Sequence, residues 1–195
     1  DESARLARQE AREKTGLSLA LGSNEITLLE LVRAFSIFPN DGVLKEIQIN
    51  QQTKKSNKQV IKTDTARIIC DFLSDKAAQS LGFGNAKVFN TEYPSIFKTG
   101  TANQYQDIIA LAATKEYTVG VWLGNLNGET VIKKTGSSIP ALIARNILDY
   151  LTLPQLEQLD KKESLKFHQP EQYTKTQICT LSGCKPNQNC PSVSL

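Results

Sequence analysis

Ser95-Ile96-Phe97-Lys98-Thr99-Gly100-Thr101 precedes two further apolar runs, Ile108 to Ala113 and Tyr117 to Leu123. Together these residues predict three neighbouring strands. Ile108 to Ala113 contains no polar side chain, as a strand buried on both faces requires. Thr114-Lys115-Glu116 is a short polar turn, and the run after it is rich in Val, Tyr and Trp, so the pair reads as an antiparallel hairpin. The opening stretch sets a lysine, a threonine and a glycine after two apolar residues, where a strand runs toward a pocket. Gly120 and Gly124 read as sheet glycines, because no lysine-serine pair follows them as in a phosphate loop.

Outward from this core, the strongest helix signal lies upstream. Thr27 with Glu30 makes a capping-box pattern, and Leu28, Leu31, Val32 and Phe35 recur at helical spacing. Pro39-Asn40-Asp41-Gly42 supplies the turn that ends it. Val43 to Ile49 reads as a strand, Asn50 to Lys58 as a solvated loop and Val60-Ile61 as a short returning strand. A second helix is expected from about Asp64 to Ala78, with Ala66, Ile69, Phe72 and Leu73 on one face. Gly82 and Gly84 open a loop. Downstream, Ile139 to Leu151 reads as a helix with Pro140 in its first turn and Leu142, Ile143, Ile147 and Leu148 toward the sheet. Asp1 to Lys14 is charged and can form a helix with little apolar face. The order helix, strand, strand, helix, three strands, helix specifies an α/β domain whose antiparallel sheet the last helix closes. Composition turns polar after Leu153, so residues 1–153 are read as the domain and 154–195 as a polar linker leading into a cysteine-bearing module.

Composition excludes several classes. The 195 residues carry a net charge of +3 without a basic stripe interleaved with aromatics, which argues against nucleic-acid binding. No apolar run approaches the roughly 18 residues of a membrane span. The first residues resemble neither a signal nor a transit peptide, and a start at Asp1 without methionine reads as an excerpt of a longer protein. Cys70 lies in a helical apolar pattern and reads as a small buried hydrophobe. Cys179, Cys184 and Cys190 crowd the C-terminus at spacings that match no common zinc pattern, and His168 is the lone histidine. A disulfide within the tail, and hence an oxidising compartment, is the favoured reading, with the pairing left open.

Lys98-Thr99-Gly100 is weak as a tripeptide, and Lys134-Thr135-Gly136 repeats it. Position separates the two copies. The first lies on a strand of the sheet, whereas the second stands in the loop before the last helix, with Ser137 or Ser138 as a helix cap. Longer segments agree with the first. Leu19 to Leu31, Lys98 to Thr101, Asp107, Tyr117 to Asn125 and Thr135 to Ala141 resemble the C-terminal part of the transpeptidase domain of class A penicillin-binding proteins. Ile178-Cys179-Thr180-Leu181-Ser182-Gly183 followed by Cys190-Pro191 resembles the tail of their 1C type. This chain departs from that pattern at Ala102, Ile108-Ile109 and Ala112, none of which removes a charged group.

Serine acyl-transferases of this kind combine a Ser-x-x-Lys nucleophile, a Ser-x-Asn element and a Lys-Thr-Gly strand. Ser-x-Asn is absent from the chain. Ser95-Ile96-Phe97-Lys98 is rejected as the nucleophile because its lysine is already that of the strand. Ser182-Gly183-Cys184-Lys185 is rejected because Gly183 and Pro186 oppose a helix. The resemblance therefore implies a penicillin-binding protein or serine β-lactamase-like transpeptidase fold, incomplete because its N-terminal portion is absent, and inactive alone. It implies that Lys98 supplies positive charge near the serine and that Thr99, Gly100 and Thr101 bind substrate, the Thr101 N–H forming half of an oxyanion hole. No cofactor and no metal are implied. The implied partners are peptidoglycan stem peptides, β-lactams and the missing N-terminal part of the same protein. The implied location is periplasmic, with the full protein anchored in the inner membrane by a segment outside this chain. A non-catalytic cell-wall or partner-binding module that keeps the fold is the alternative. Read without the resemblance, Asp107 is a strand-end carboxylate making local hydrogen bonds, Trp122 is sheet packing and His168 is an exposed linker residue.

Overall fold

The computed structural model describes residues 2–49, 56–76, 79, 87–102, 105–131, 138–157, 163–174, 176–191 and 193–194. Helix α1 (Glu2–Thr15) is followed by a 3-10 turn over Gly16–Leu21 and then by α2 (Leu28–Phe35). Thr27 caps α2 through a complete capping box. The Glu30 N–H donates to its hydroxyl, and the Glu30 carboxylate accepts from the Thr27 backbone N–H. The Thr27 hydroxyl, donating to the Glu30 carboxylate, and then the Thr27 N–H hold that carboxyl below its usual range. Strands β1 (Val43–Lys45) and β2 (Asn57–Gln59) form a two-stranded ribbon, and α3 (Thr63–Ser74) comes next. Strands β3 (Ile96–Thr101), β4 (Asp107–Ala113) and β5 (Thr118–Gly124) make one antiparallel sheet in the order β3-β4-β5. Helix α4 (Ser138–Leu156) and the tail pair β6 (Ile178–Cys179) and β7 (Val193–Ser194) complete the elements.

The expected element order is thus realised, and β4 is its centre. Alternation divides β4 between two cores. Ala110 and Ala112 face α4, where Ala141, Ala144 and Leu148 meet them beside Phe97 and Phe89. Leu111 and Ala113 face the other way with Ile96, Phe35 of α2 and Cys70 of α3. Small residues on both sides of the α4 contact let the helix lie close to the sheet. Gly120 performs the same service for α2, since a Cβ there would stand 2.2 Å from Val32 Cγ2. Burial pushes the Cys70 thiol up to about 12, as expected of an inert core cysteine.

The approach to β3 is pinned to α4 by polar contacts. The Tyr93 hydroxyl donates to Asp149 Oδ1 at 2.6 Å, while Arg145 pairs with Asp149 and donates to the Lys87 carbonyl. Thr91 and Ser95 share a buried hydroxyl pair at 2.8 Å just before the strand begins.

Four local expectations are corrected. The first strand ends at Lys45, and its partner is Asn57–Gln59 rather than Val60-Ile61. Every residue of β2 is exposed, so no apolar alternation marks it in sequence. Phe72 is 69% exposed, because the inward stripe of α3 runs through Ala66, Cys70 and Leu73. Leu142, Ile143 and Ile147 are also exposed, and the face of α4 that meets the sheet is Ala141, Ala144 and Leu148. Bulk at the first three positions misleads, since the alanines of β4 need small partners. Helix α4 starts at Ser138 and runs through Pro154 to Leu156. Its cap position is residue 137, which falls outside the described residues, as do Gly82, Gly84 and Lys134 to Gly136.

The segment after α4 returns to the domain. Leu165 is buried and Phe167 packs with the α2–α3 core. Arg67 Nε and Nη2 donate to the Asp41 carboxylate, the first to Oδ1 at 3.0 Å, and Nη1 donates to Glu171 Oε1 and the Gln169 carbonyl. His168 Nδ1 meets Asp41 Oδ2 at 2.8 Å, and Asp64 accepts from the backbone of Glu171 and Gln172. Partial burial works to raise the Asp41 carboxyl, but Arg67 and then His168 outweigh it and hold it below its ordinary value.

Stability is sensitive to two of these contacts. Gly120→Ala costs about 1–3 kcal/mol in denaturant unfolding, because α2 must move off the sheet. Asp41 has a positive φ of 54° that asparagine tolerates, so Asp41→Asn removes the charge while leaving the turn intact. Because its folded pKa is depressed, the contribution of Asp41 is present above the unfolded carboxylate pKa of about 3.9 and is lost as pH falls through the folded value. Asp41→Asn therefore lowers stability by about 1–3 kcal/mol at neutral pH, and the difference from wild type shrinks below about pH 4.

Candidate functional site

Strand β3 pairs with β4 on one side only, and among the described residues no strand covers its other edge. The backbone amides and carbonyls of an edge strand are a ready template for an extended peptide. Lys98, Thr99, Gly100 and Thr101 occupy the second half of this edge. Their register partners are Leu111, Ala110, Ile109 and Ile108. Ile96 and Phe97 are buried ahead of them, whereas Lys98, Gly100 and Thr101 are exposed and Thr99 is half-buried. The apolar first half anchors the strand and the second half projects to solvent, as the two apolar residues before the lysine imply.

Cross-strand pairs share a face, which fixes what surrounds the lysine. Lys98, Leu111 and Gly120 form one row, and Gly100, Ile109 and Trp122 form the next. Both rows lie on the sheet face that α2 covers at Gly120. Leu29 on α2 stays 62% exposed beyond that contact. Lys98 Nζ donates to the Thr99 carbonyl at 2.6 Å, so the ammonium sits at the strand itself. Thr99 and Thr101 point to the α4 side by alternation. Their hydroxyls and the ammonium are thus distributed around one free edge.

Gly100 is the telling residue. A Cβ built on it would meet nothing within 4 Å. Gly120 and Gly124 differ in this respect, for each is crowded by described neighbours: Val32 at 2.2 Å for the first, and the Trp122 ring at 2.4 Å for the second. Packing within the described residues therefore requires glycine at 120 and 124 but not at 100.

The mouth of the β3–β4 hairpin is closed by the Ala102 N–H, which donates to the Asp107 carbonyl at 2.8 Å. Asp107 also accepts from Trp122 Nε1 at 2.8 Å. Its carboxylate thus fastens β4 to β5 across the sheet, a contact between residues that sequence proximity does not reveal. Trp122 stays exposed, its ring over Gly124 and its indole held by this polar tie. Ser95 is buried and bonded to Thr91, so it is not placed as a nucleophile. His168 is exposed, as expected, and in addition is held between Asp41 and Lys115. Nothing in the sequence signals that pairing. Among the described residues no group of three His, Cys, Asp or Glu side chains is placed to hold a metal ion.

Residues 3–149 match the family model for the penicillin-binding protein transpeptidase domain. The chain belongs to that family. Penicillin-binding protein 1C of Escherichia coli is 26% identical over 128 residues, covering 65% of this chain and 16% of that protein. Penicillin-binding protein 4 of Bacillus subtilis is 33% identical over 119 residues, covering 55% of this chain and 19% of that protein. The chain thus spans less than a fifth of these relatives. Penicillin-binding protein 1A from Haemophilus influenzae shares the fold with a TM-score of 0.62 at 18% identity, over 88% of this chain and 32% of that one. The α/β arrangement of antiparallel sheet and flanking helices is therefore part of a transpeptidase domain fold.

Because open space surrounds Gly100, Gly100→Ala in this chain changes unfolding stability by less than about 1 kcal/mol, in contrast to Gly120→Ala.

Proposed function

We propose that this chain is part of a peptidoglycan cross-linking D,D-transpeptidase of the class A, 1C type, contributing the Lys-Thr-Gly wall of the active site. The observation that carries the reading is the free edge of β3, with Lys98, Thr99 and Thr101 around a glycine whose empty side no described neighbour explains. A substrate strand and a second wall are what such an edge accommodates. The similarity to penicillin-binding protein 1C, modest as identity goes, supports the finer assignment. The nucleophilic serine and the Ser-x-Asn element belong to sequence beyond these residues, and the chain alone is inactive.

In this reading the stem peptide lies along β3. Lys98 supplies positive charge beside the attacking serine, which lowers the cost of its deprotonation. Thr99 and Thr101 donate hydroxyl hydrogen bonds to the terminal carboxylate, and Gly100 lets the substrate backbone approach without a side chain in the way. The Thr101 N–H contributes half of the oxyanion hole that receives the developing negative charge. Serine attack on the carbonyl between two D-alanines expels the last one, and an amine of a neighbouring stem then takes the acyl group. A β-lactam occupies the same groups. Residues 1–153 form this part of the domain, and 154–195 form a linker and the start of a cysteine-bearing module. The protein works outside the cytoplasm, held at the inner membrane by a segment beyond this chain; no helix among the described residues is long and apolar enough to cross a membrane.

Fluorescent penicillin tests the proposal. The 195-residue chain is not covalently labelled, whereas a longer protein carrying Ser-x-x-Lys and Ser-x-Asn upstream is. In that longer protein Lys98→Ala slows acylation about a hundredfold or more, and Gly100→Ala slows it at least about tenfold without loss of stability. Labelling of the chain itself at Ser95 or Ser182 overturns the assignment. A longer protein that folds but never labels supports the non-catalytic module instead.

A further inference from the structure

Residues 176–191 have almost no interior. Cys179 is the sole buried residue among them, and only Pro186 and Cys190 are half-buried. Strands β6 and β7 pair over two residues each, Ile178 with Ser194 and Cys179 with Val193. So short a ladder without an apolar core is marginal by itself.

Two tight turns nevertheless fold the intervening loop back on Cys179. In the first, the Cys179 N–H donates to the Cys184 carbonyl and the Gly183 N–H to the Cys179 carbonyl, both at 2.8 Å. Gly183 has the positive φ of 68° that this turn needs. In the second, the Cys190 N–H donates to the Asn187 carbonyl at 3.0 Å and the Asn187 N–H donates to Cys190 Sγ at 3.3 Å. The outcome is that Cys179 and Cys190 are the two tail cysteines covered by the folded loop, with the Cys190 side chain a neighbour of the Cys179 sulfur. Strands β6 and β7 bring residues 178–179 beside 193–194. Cys184 stays exposed, and Cys70 lies in the α3 core.

We propose that Cys179 and Cys190 are a redox pair that closes into a disulfide, stapling the C-terminal hairpin. Segments too small to bury a core are commonly held this way. The surroundings also prepare the reaction. The Cys190 side chain, then the Ser182 hydroxyl and the Ser182 and Leu181 backbone groups, hydrogen-bond the Cys179 sulfur and bring its thiol down to about 7. The burial is shallow, under a single loop, so these bonds outweigh desolvation. The lowered pKa raises the share of Cys179 in the thiolate, the attacking form.

The oxidant is a second disulfide, either a small molecule or an oxidised dithiol catalyst. Cys179 thiolate attacks one of its sulfurs, forming a mixed disulfide and expelling the other sulfur as a thiolate. Cys190 gives its proton to solvent and attacks Cys179 Sγ, forming the Cys179–Cys190 bond and releasing the second thiolate. One disulfide is reduced to two thiols while the two cysteines are oxidised. This step does not depend on the transpeptidase reading.

The purified, reduced full chain is incubated with oxidised glutathione, quenched in acid, denatured, alkylated and mapped by peptide mass. The expected product has Cys179 joined to Cys190, with Cys70 and Cys184 alkylated. Cys184→Ser gives the same bridge, whereas Cys190→Ser leaves a glutathione adduct on Cys179. In the native chain, Cys179 reacts with a limiting thiol reagent about tenfold faster than Cys184 at neutral pH, and its rate climbs through pH 7. A bridge that includes Cys184 or joins two chains, or full alkylation of Cys179 and Cys190 after oxidation, overturns the proposal.

Discussion

The contact between β4 and α4 is the constraint on which the remaining architecture depends. Ala110 and Ala112 on the strand meet Ala141 and Ala144 on the helix, so backbones approach where larger side chains would hold them apart. With α4 seated on one face and α2 and α3 on the other, β4 is buried on both faces, and it is hydrogen-bonded to a strand along each edge. Among the described residues its neighbours β3 and β5 take the edges of a three-stranded sheet. The exposure of Lys98 to Thr101 is thus a consequence of the packing that places β4 at the centre. An edge strand whose first half is anchored by Ile96 and Phe97 holds its second half still while leaving it accessible. That combination suits a binding edge.

The two faces of the sheet are asymmetric in their polar ties. On the α4 side, Tyr93, Arg145 and Asp149 lock the approach to β3, and burial with the Asp149 bond pushes the Tyr93 hydroxyl above its usual range. On the other side, Arg67, Asp41 and His168 tie residues 165–172 back to α3 and the turn after α2. The polar segment after α4 is therefore strapped to the domain before the chain reaches the cysteine-bearing hairpin. That hairpin has little core of its own, so the proposed bridge between Cys179 and Cys190 would carry more structural weight there than in the main domain.

Glycines illustrate how similar residues differ in cause. Gly120 is demanded by α2, and Gly124 by the Trp122 ring that lies over it. Gly100 is demanded by neither. Among the described residues nothing crowds Gly100, and that open side is what the proposed approach of a substrate backbone uses.

Sequence alone determined the element order, the capped helix at Thr27, the doubly buried strand Ile108 to Ala113 and the position of Lys98-Thr99-Gly100 on a strand. These are local matters, set by periodicity, turn chemistry and short-range hydrogen bonds that neighbouring residues supply. Tertiary structure decided which face of α4 meets the sheet, because alanine is favoured there by the smallness of its partners rather than by its own hydrophobicity. It also decided the polar β2 strand, the tie from Trp122 to Asp107 and the strap from Arg67 through Asp41 to His168. Each of these joins residues far apart in the chain, and the partners' identities carry no periodic signal. The candidate site was legible as a motif, but its unpaired edge among the described residues and the open space at Gly100 exist only once β4 has taken the centre of the sheet.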